Sequence, residues 1–201
     1  MALSKIQASS INLADNFTFT GNISGTSDVA LLSTITLGNQ GNANFTGIGS
    51  DYDMYMWHLS DIDVSANTMM WLRYSLDGGS TYNTTGGNYE YAVRGYRSNN
   101  EFGTAPSTSD SKIQITFGGA VIDDDDNHNF SGVVYMTSHT NSSTRCNFWW
   151  HLGYVSGDSG YATGIYGAGS IRVVADNPNA IQFLPQSGNF SSGKIKMYGW
   201  K

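Results

Sequence analysis

The sequence predicts an all-β sandwich, on three observations. Gly, Ser, Thr and Asn, the residues of turns and outward strand faces, make up 84 of the 201 residues. Only two glutamates, Glu90 and Glu101, and ten Lys plus Arg are present, so the residues that cover exposed helix faces are scarce. Aromatic residues at 13% and apolar residues at 39% are enough for a core and too many for a disordered chain. A helical bundle and a doubly wound α/β domain are excluded. A chain of this length suits one sandwich domain, and burying roughly 70% of its unfolded surface requires neither disulfides nor metal.

Residues 1–28 read as an extended arm. Leu3, Ile6, Ile11, Leu13, Phe17 and Phe19 are spaced among Ser, Asn and Thr, and the segment ends near Gly21 and Gly25. Phe17 and Phe19 alternate with Thr18 and Thr20 as one face of a short strand does. Spaced apolar anchors suit lying on another surface; the other reading is a first strand with a frayed terminus.

From Val29 to Lys201 short strands follow one another at the spacing of a sandwich. They are predicted at 29–37, 43–48, 52–62, 68–76, 89–96, 112–117, 129–138, 144–154, 164–174, 180–184 and 194–200. In 112–117, Ile113, Ile115 and Phe117 face one way, and Lys112, Gln114 and Thr116 the other. In 144–154, Cys146, Phe148, Trp150 and Leu152 alternate with Arg145, Asn147, Trp149 and His151. The 52–62 segment is apolar on both faces, with Met54 and Met56 opposed to Tyr55, Trp57 and Leu59. A strand covered on both sides has this pattern, inside the domain or at a subunit interface. Turns are expected at Asp77-Gly78-Gly79 and Gly86-Gly87, where glycine takes positive φ without strain. Residues 97–111, with Asn99, Asn100, Gly103, Pro106 and four serines, read as a long polar loop leaving the sheet.

Chemistry-bearing patterns are sparse. The net charge of −6 and the low isoelectric point disfavour binding to phosphate backbones, so no nucleic-acid partner is expected. No apolar run approaches a membrane span, and the first residues lack the apolar core of a secretory signal. Asp123-Asp124-Asp125-Asp126 suggests a calcium site, but the spaced donors of a calcium loop are missing and a solvated turn is the simpler reading. His58, His128, His139 and His151 are scattered, so no zinc site and no cofactor is expected. Cys146 lies on an apolar strand face as a small core residue. Among the acids Asp51, Asp53, Asp61 and Asp63, alternation puts Asp53, Asp61 and Asp63 on one strand face, yet Asp53 and Asp61 are eight residues apart, too far for a catalytic pair. No nucleophile elbow, phosphate loop or metalloprotease motif occurs. Seven Asn-x-Ser/Thr sequons follow from the abundance of those residues. Twelve Tyr, nine Phe and five Trp exceed what a small core holds. Trp149, Tyr161, Tyr166 and Tyr198 are candidates for exposure, at a subunit interface or stacked on sugars.

The two ends and one middle stretch carry a resemblance. The opening Ser4-Lys5-Ile6-Gln7-Ala8-Ser9-Ser10-Ile11-Asn12-Leu13-Ala14-Asp15-Asn16-Phe17-Thr18-Phe19-Thr20-Gly21 resembles the start of small structural proteins of tailed, marine podovirus-like bacteriophages. The close, Ser192-Gly193-Lys194-Ile195-Lys196-Met197-Tyr198-Gly199-Trp200-Lys201, resembles their last strand, with Trp200 where a small aliphatic residue is usual. Arg73-Tyr74-Ser75-Leu76-Asp77-Gly78-Gly79-Ser80-Thr81-Tyr82 resembles a strand-turn of the same proteins.

The resemblance implies a jelly-roll-like virion protein, of the tail fibre, head fibre or capsid decoration type, without enzymatic activity. It implies a docking arm at 1–28 and a sandwich at 29–201, synthesis in the host cytoplasm, and other virion proteins as partners. Homo-oligomers, trimers foremost, are expected from the doubly apolar strand and the aromatic surplus. The alternative is a module that binds host surface glycans.

Overall fold

The computed structural model describes residues 28–201 apart from 118, 120, 126–127, 138–142 and 158. The arm anchors Leu3, Ile6, Ile11, Leu13, Phe17 and Phe19 lie outside the described residues, as do His139 and Asp126.

Twelve strands form in chain order: β1 (Val29–Thr36), β2 (Ala43–Thr46), β3 (Met54–Val64), β4 (Met70–Ser75), β5 (Tyr89–Arg97), β6 (Phe102–Asp110), β7 (Ile113–Gln114), β8 (Phe130–Thr137), β9 (Asn147–Val155), β10 (Ala162–Ile171), β11 (Ala180–Pro185) and β12 (Phe190–Trp200). They make an eight-stranded sheet, β1-β12-β3-β8-β9-β10-β5-β6, and a four-stranded sheet, β2-β11-β4-β7, both antiparallel. With two hairpins set aside, β5–β6 and β9–β10, the remaining strands run β1-β12-β3-β8 against β2-β11-β4-β7. Successive strands then alternate between sheets except for the step from β4 to β7, which is jelly-roll connectivity. The two inserted hairpins pair with each other through β10 and β5 and lengthen the larger sheet.

One core lies between the sheets. Trp57 of the large sheet meets Phe45 and Phe183 of the small one edge-on, at centroid distances of 6.3 and 5.7 Å. The inward set Cys146, Phe148, Trp150 and Leu152 is buried, as its alternation predicts, while Trp149 and His151 point outward. At the glycine turn, Gly78 and Gly79 have φ of 74° and 90°.

Three expectations change. Residues 102–110 are a strand, not a loop. Asn100 at φ 69° closes a tight turn after β5, and β6 pairs along β5 as the edge of the sheet. An edge strand tolerates Pro106 because only one of its rims must supply ladder donors. Gly95 and Gly103 are paired across these strands, and the Phe117 ring covers both: a Cβ on either would fall 2.3 or 2.1 Å from it. The 112–117 segment is also buried on both sides rather than one. Gln114 is 8% exposed, and Thr116 is fully buried, its hydroxyl accepting the Met70 N–H at 2.9 Å. Finally, Asp61 does not share a face with Asp63. It takes φ 55° at a bulge between Leu59 and Ile62, which shifts the phase of β3; Asp61 is exposed and Asp63 buried.

Candidate functional site

The outward faces of the two sheets differ. The small sheet carries polar and charged side chains: Gln182 Nε2 donates to Asn44 Oδ1 at 3.0 Å, and the Trp71 ring lies under Lys112 and Arg73. The large sheet instead presents apolar and aromatic side chains to solvent.

Register explains how they gather. Leu31 on β1 stands opposite Tyr198 on β12, and Tyr198 opposite Met56 on β3. Met56 pairs with Tyr135 on β8, and Tyr135 with Trp149 on β9. Ala168, Ala92 and Pro106 then continue the line over β10, β5 and β6. This row crosses all eight strands without a charge. The neighbouring row holds Lys196, His58, Val133, His151, Tyr166 and Arg94 in register. Side chains of one face stand side by side only because each strand pairs in phase with the next.

Ring geometry is defined along these rows. Tyr135 and Trp149 stack at 5.2 Å and 13°. His151 meets Tyr166 edge-on at 6.2 Å, and the Arg94 guanidinium lies over Phe102 at 5.8 Å. Tyr96 lies over Gly164, where a Cβ would come 2.4 Å from its ring. Phe102 is 70% exposed, Leu31 56%, Tyr166 44% and Trp149 39%. A connected exposed apolar patch is the kind of feature that marks contact surfaces on proteins.

Charge on this face runs against that of the whole chain. Its outward strand positions carry Lys194, Lys196 and Arg94 against Glu90 and, at the β3 bulge, Asp61. Glu90 Oε1 accepts from Arg145 at 2.7 Å and from the Ser170 hydroxyl at 2.8 Å, and Arg172 is 3.7 Å from Oε2. Arg94 has no carboxylate partner among the described residues.

Of the four candidate aromatics, Trp149, Tyr166 and Tyr198 come together on this face. Tyr161 lies instead in the β9–β10 turn, 42% exposed. Met56 belongs to the strand read as apolar on both faces, whereas Tyr135, Tyr96, Phe102 and Arg94 were not singled out by the sequence. Outward alternation in β5 and β8 was the available signal for Arg94, Tyr96 and Tyr135, whereas Phe102 belongs to the strand that reads as a loop.

Other candidates remain local. Asp123 binds His128 Nδ1 at 2.5 Å and the Asp125 N–H, while the Asp124 N–H donates to Asn67. No three His, Cys, Asp or Glu side chains among the described residues converge as a metal site. Tyr74 donates to Asp176 and accepts from Asn83, and Tyr89 donates to the Asn83 carbonyl, pinning the loop after β4. Burial, with Asp176 beside it, pushes the Tyr74 phenol far above its ordinary value. No family model matches the chain, and no curated protein matches its sequence.

Proposed function

We propose that this chain is a non-enzymatic structural protein of a tailed bacteriophage particle, a head or tail fibre or capsid decoration subunit. The observation that carries this reading is the uncharged row from Leu31 to Pro106, a contact surface running over a whole sheet of a jelly roll. The resemblance at residues 4–21, 73–82 and 192–201 supplies the kind of particle. In this reading residues 1–28 dock the domain onto other virion proteins, after synthesis in the host cytoplasm. The half of the face nearest Val29, with Leu31, Trp200, Tyr198 and Met56, packs against sister subunits in a trimer. Deleting residues 1–20 leaves the domain folded but absent from purified particles; normal incorporation overturns the docking role. A monomeric mass by light scattering, with the arm intact, overturns the trimer.

A second reading, a module that binds host surface glycans, is favoured by the stacked Tyr135–Trp149 pair and exposed Tyr166. Flat amphipathic rings on an open face suit the apolar side of a pyranose.

A further inference from the structure

The inserted hairpins hold a groove on the outward face. Two depressions of about 500 and 600 Å³ share Ala92, Ala168 and Pro106. Ala92 and Ala168 are register partners, so the floor is two methyl groups, and Trp149 stands opposite Ala168 on the next strand. One end of the groove carries Tyr166 and Arg94, the other Glu90, Arg145 and Asn147. Glu90 and Arg94 are four residues apart on β5, about 13 Å, the span of a short oligosaccharide. None of these groups belongs to the eight jelly-roll strands, and insertions carried by a stable scaffold are where binding specificity is commonly placed.

We propose that this groove binds an anionic oligosaccharide. Small residues leave room for a ring to lie flat on the floor beside Tyr166, and Asn147 and Thr104 offer hydrogen bonds to hydroxyls. The acidic groups of the sugar meet Arg94 at one end and Arg145 at the other. Charge selects the class. In a chain of net charge −6, the groove lining sets Arg94 and Arg145 against Glu90 alone, with Arg172 3.7 Å from the Glu90 carboxylate, while Asp110 at the end of β6 is held by Lys112 at 2.8 Å. Arg145 keeps donors to spare after its contact with Glu90, since a guanidinium carries five. The inference rests on the glycan-binding reading and gives it a site and a ligand class.

The test is titration of the full-length chain with 3′-sialyllactose and trigalacturonate, against lactose and maltotriose as neutral probes, followed by NMR or calorimetry. Acidic probes bind more tightly than neutral ones, and added salt weakens them. Arg94→Gln and Arg145→Gln each weaken binding by about tenfold or more, the loss of one charge-assisted contact. Ala168→Trp fills the floor and removes binding, whereas Arg73→Gln on the opposite sheet does not. Neutral probes binding as well as acidic ones in this groove overturn the anionic assignment and leave the glycan reading standing. No saccharide bound at millimolar concentration overturns both. Binding unchanged by Ala168→Trp overturns the site, and an oligomer dissociated by Ala168→Trp with no sugar bound gives the groove to a second copy.

Discussion

The rings of Tyr135 and Trp149 lie 5.2 Å apart and 13° from parallel, directly opposed in register on β8 and β9, on the outward face of the larger sheet. One strand position further along β9, Trp150 is 2% exposed and packs in the core. Adjacent tryptophans thus have opposite roles, set by the two-residue period of the strand.

Trp149→Ala is expected to lower stability by only about 0.5–1.5 kcal/mol, the scale of one exposed cross-strand aromatic pair. Trp57→Ala, which empties the centre between the sheets, costs about 3–5 kcal/mol. Chemical denaturation compares them. An equal loss for the two variants contradicts an open face at Trp149.

Gly193 on β12 has φ +112°, and a Cβ there would lie 2.6 Å from the Asp61 carbonyl oxygen and 2.7 Å from Ile62 Cα. Gly193→Ala combines backbone strain with a clash against backbone at the β3 bulge and is expected to cost about 2 kcal/mol or more. Gly153 on β9 has open space around the equivalent position, so Gly153→Ala changes stability by less than about 0.5 kcal/mol. Thermal melts of the two variants check the contrast.

Asp77 organises the turn after β4. Its carboxylate accepts from the Ser75 and Thr81 hydroxyls and from the Thr81 N–H, which lowers its pKa from 3.8 to about 2. A lowered folded-state pKa means that the contribution is complete above the unfolded value and fades as pH falls through the folded one. The stability gap between wild type and Asp77→Asn should therefore be constant near neutrality and close between about pH 4 and pH 2. Paired melts over that range test it, with a gap independent of pH contradicting the assignment.

Cys146 is 1% exposed, and burial pushes its thiol above the ordinary value of 9.0. The thiolate is the reactive species. The folded protein is expected to resist an aromatic disulfide reagent at pH 8 and to react stoichiometrically once denaturant unfolds it. Rapid native labelling contradicts a core position.

How much of this was legible in the sequence depends on the range of the interaction involved. The all-β class follows from composition. The inward run Cys146, Phe148, Trp150 and Leu152 follows from alternation, and so does the outward placement of Trp149. The glycine turn at Asp77 follows from the need for positive φ. Each of these is a property of a few neighbouring residues.

Strand β6 was not legible because, after Phe102, its residues are small or polar and lack apolar alternation. It is held by β5 and by the Phe117 ring lying over Gly95 and Gly103. Asp61 escaped the period of β3 because a bulge, set by the partner strands, inserts one residue out of phase.

The sequence by itself determined that the chain is a β-sandwich rich in turns, with aromatic residues to spare and few titratable groups to converge. Only the tertiary structure decided where those aromatics meet. Met56, Tyr135, Trp149 and Tyr198 stand in one row because β3 and β12, far apart in the chain, pair in phase with each other and with the β8–β9 pair. The groove exists because two separate insertions zip together through β10 and β5. Strand period is local, but strand order and register arise from pairing between distant segments and from burial of one face of each sheet.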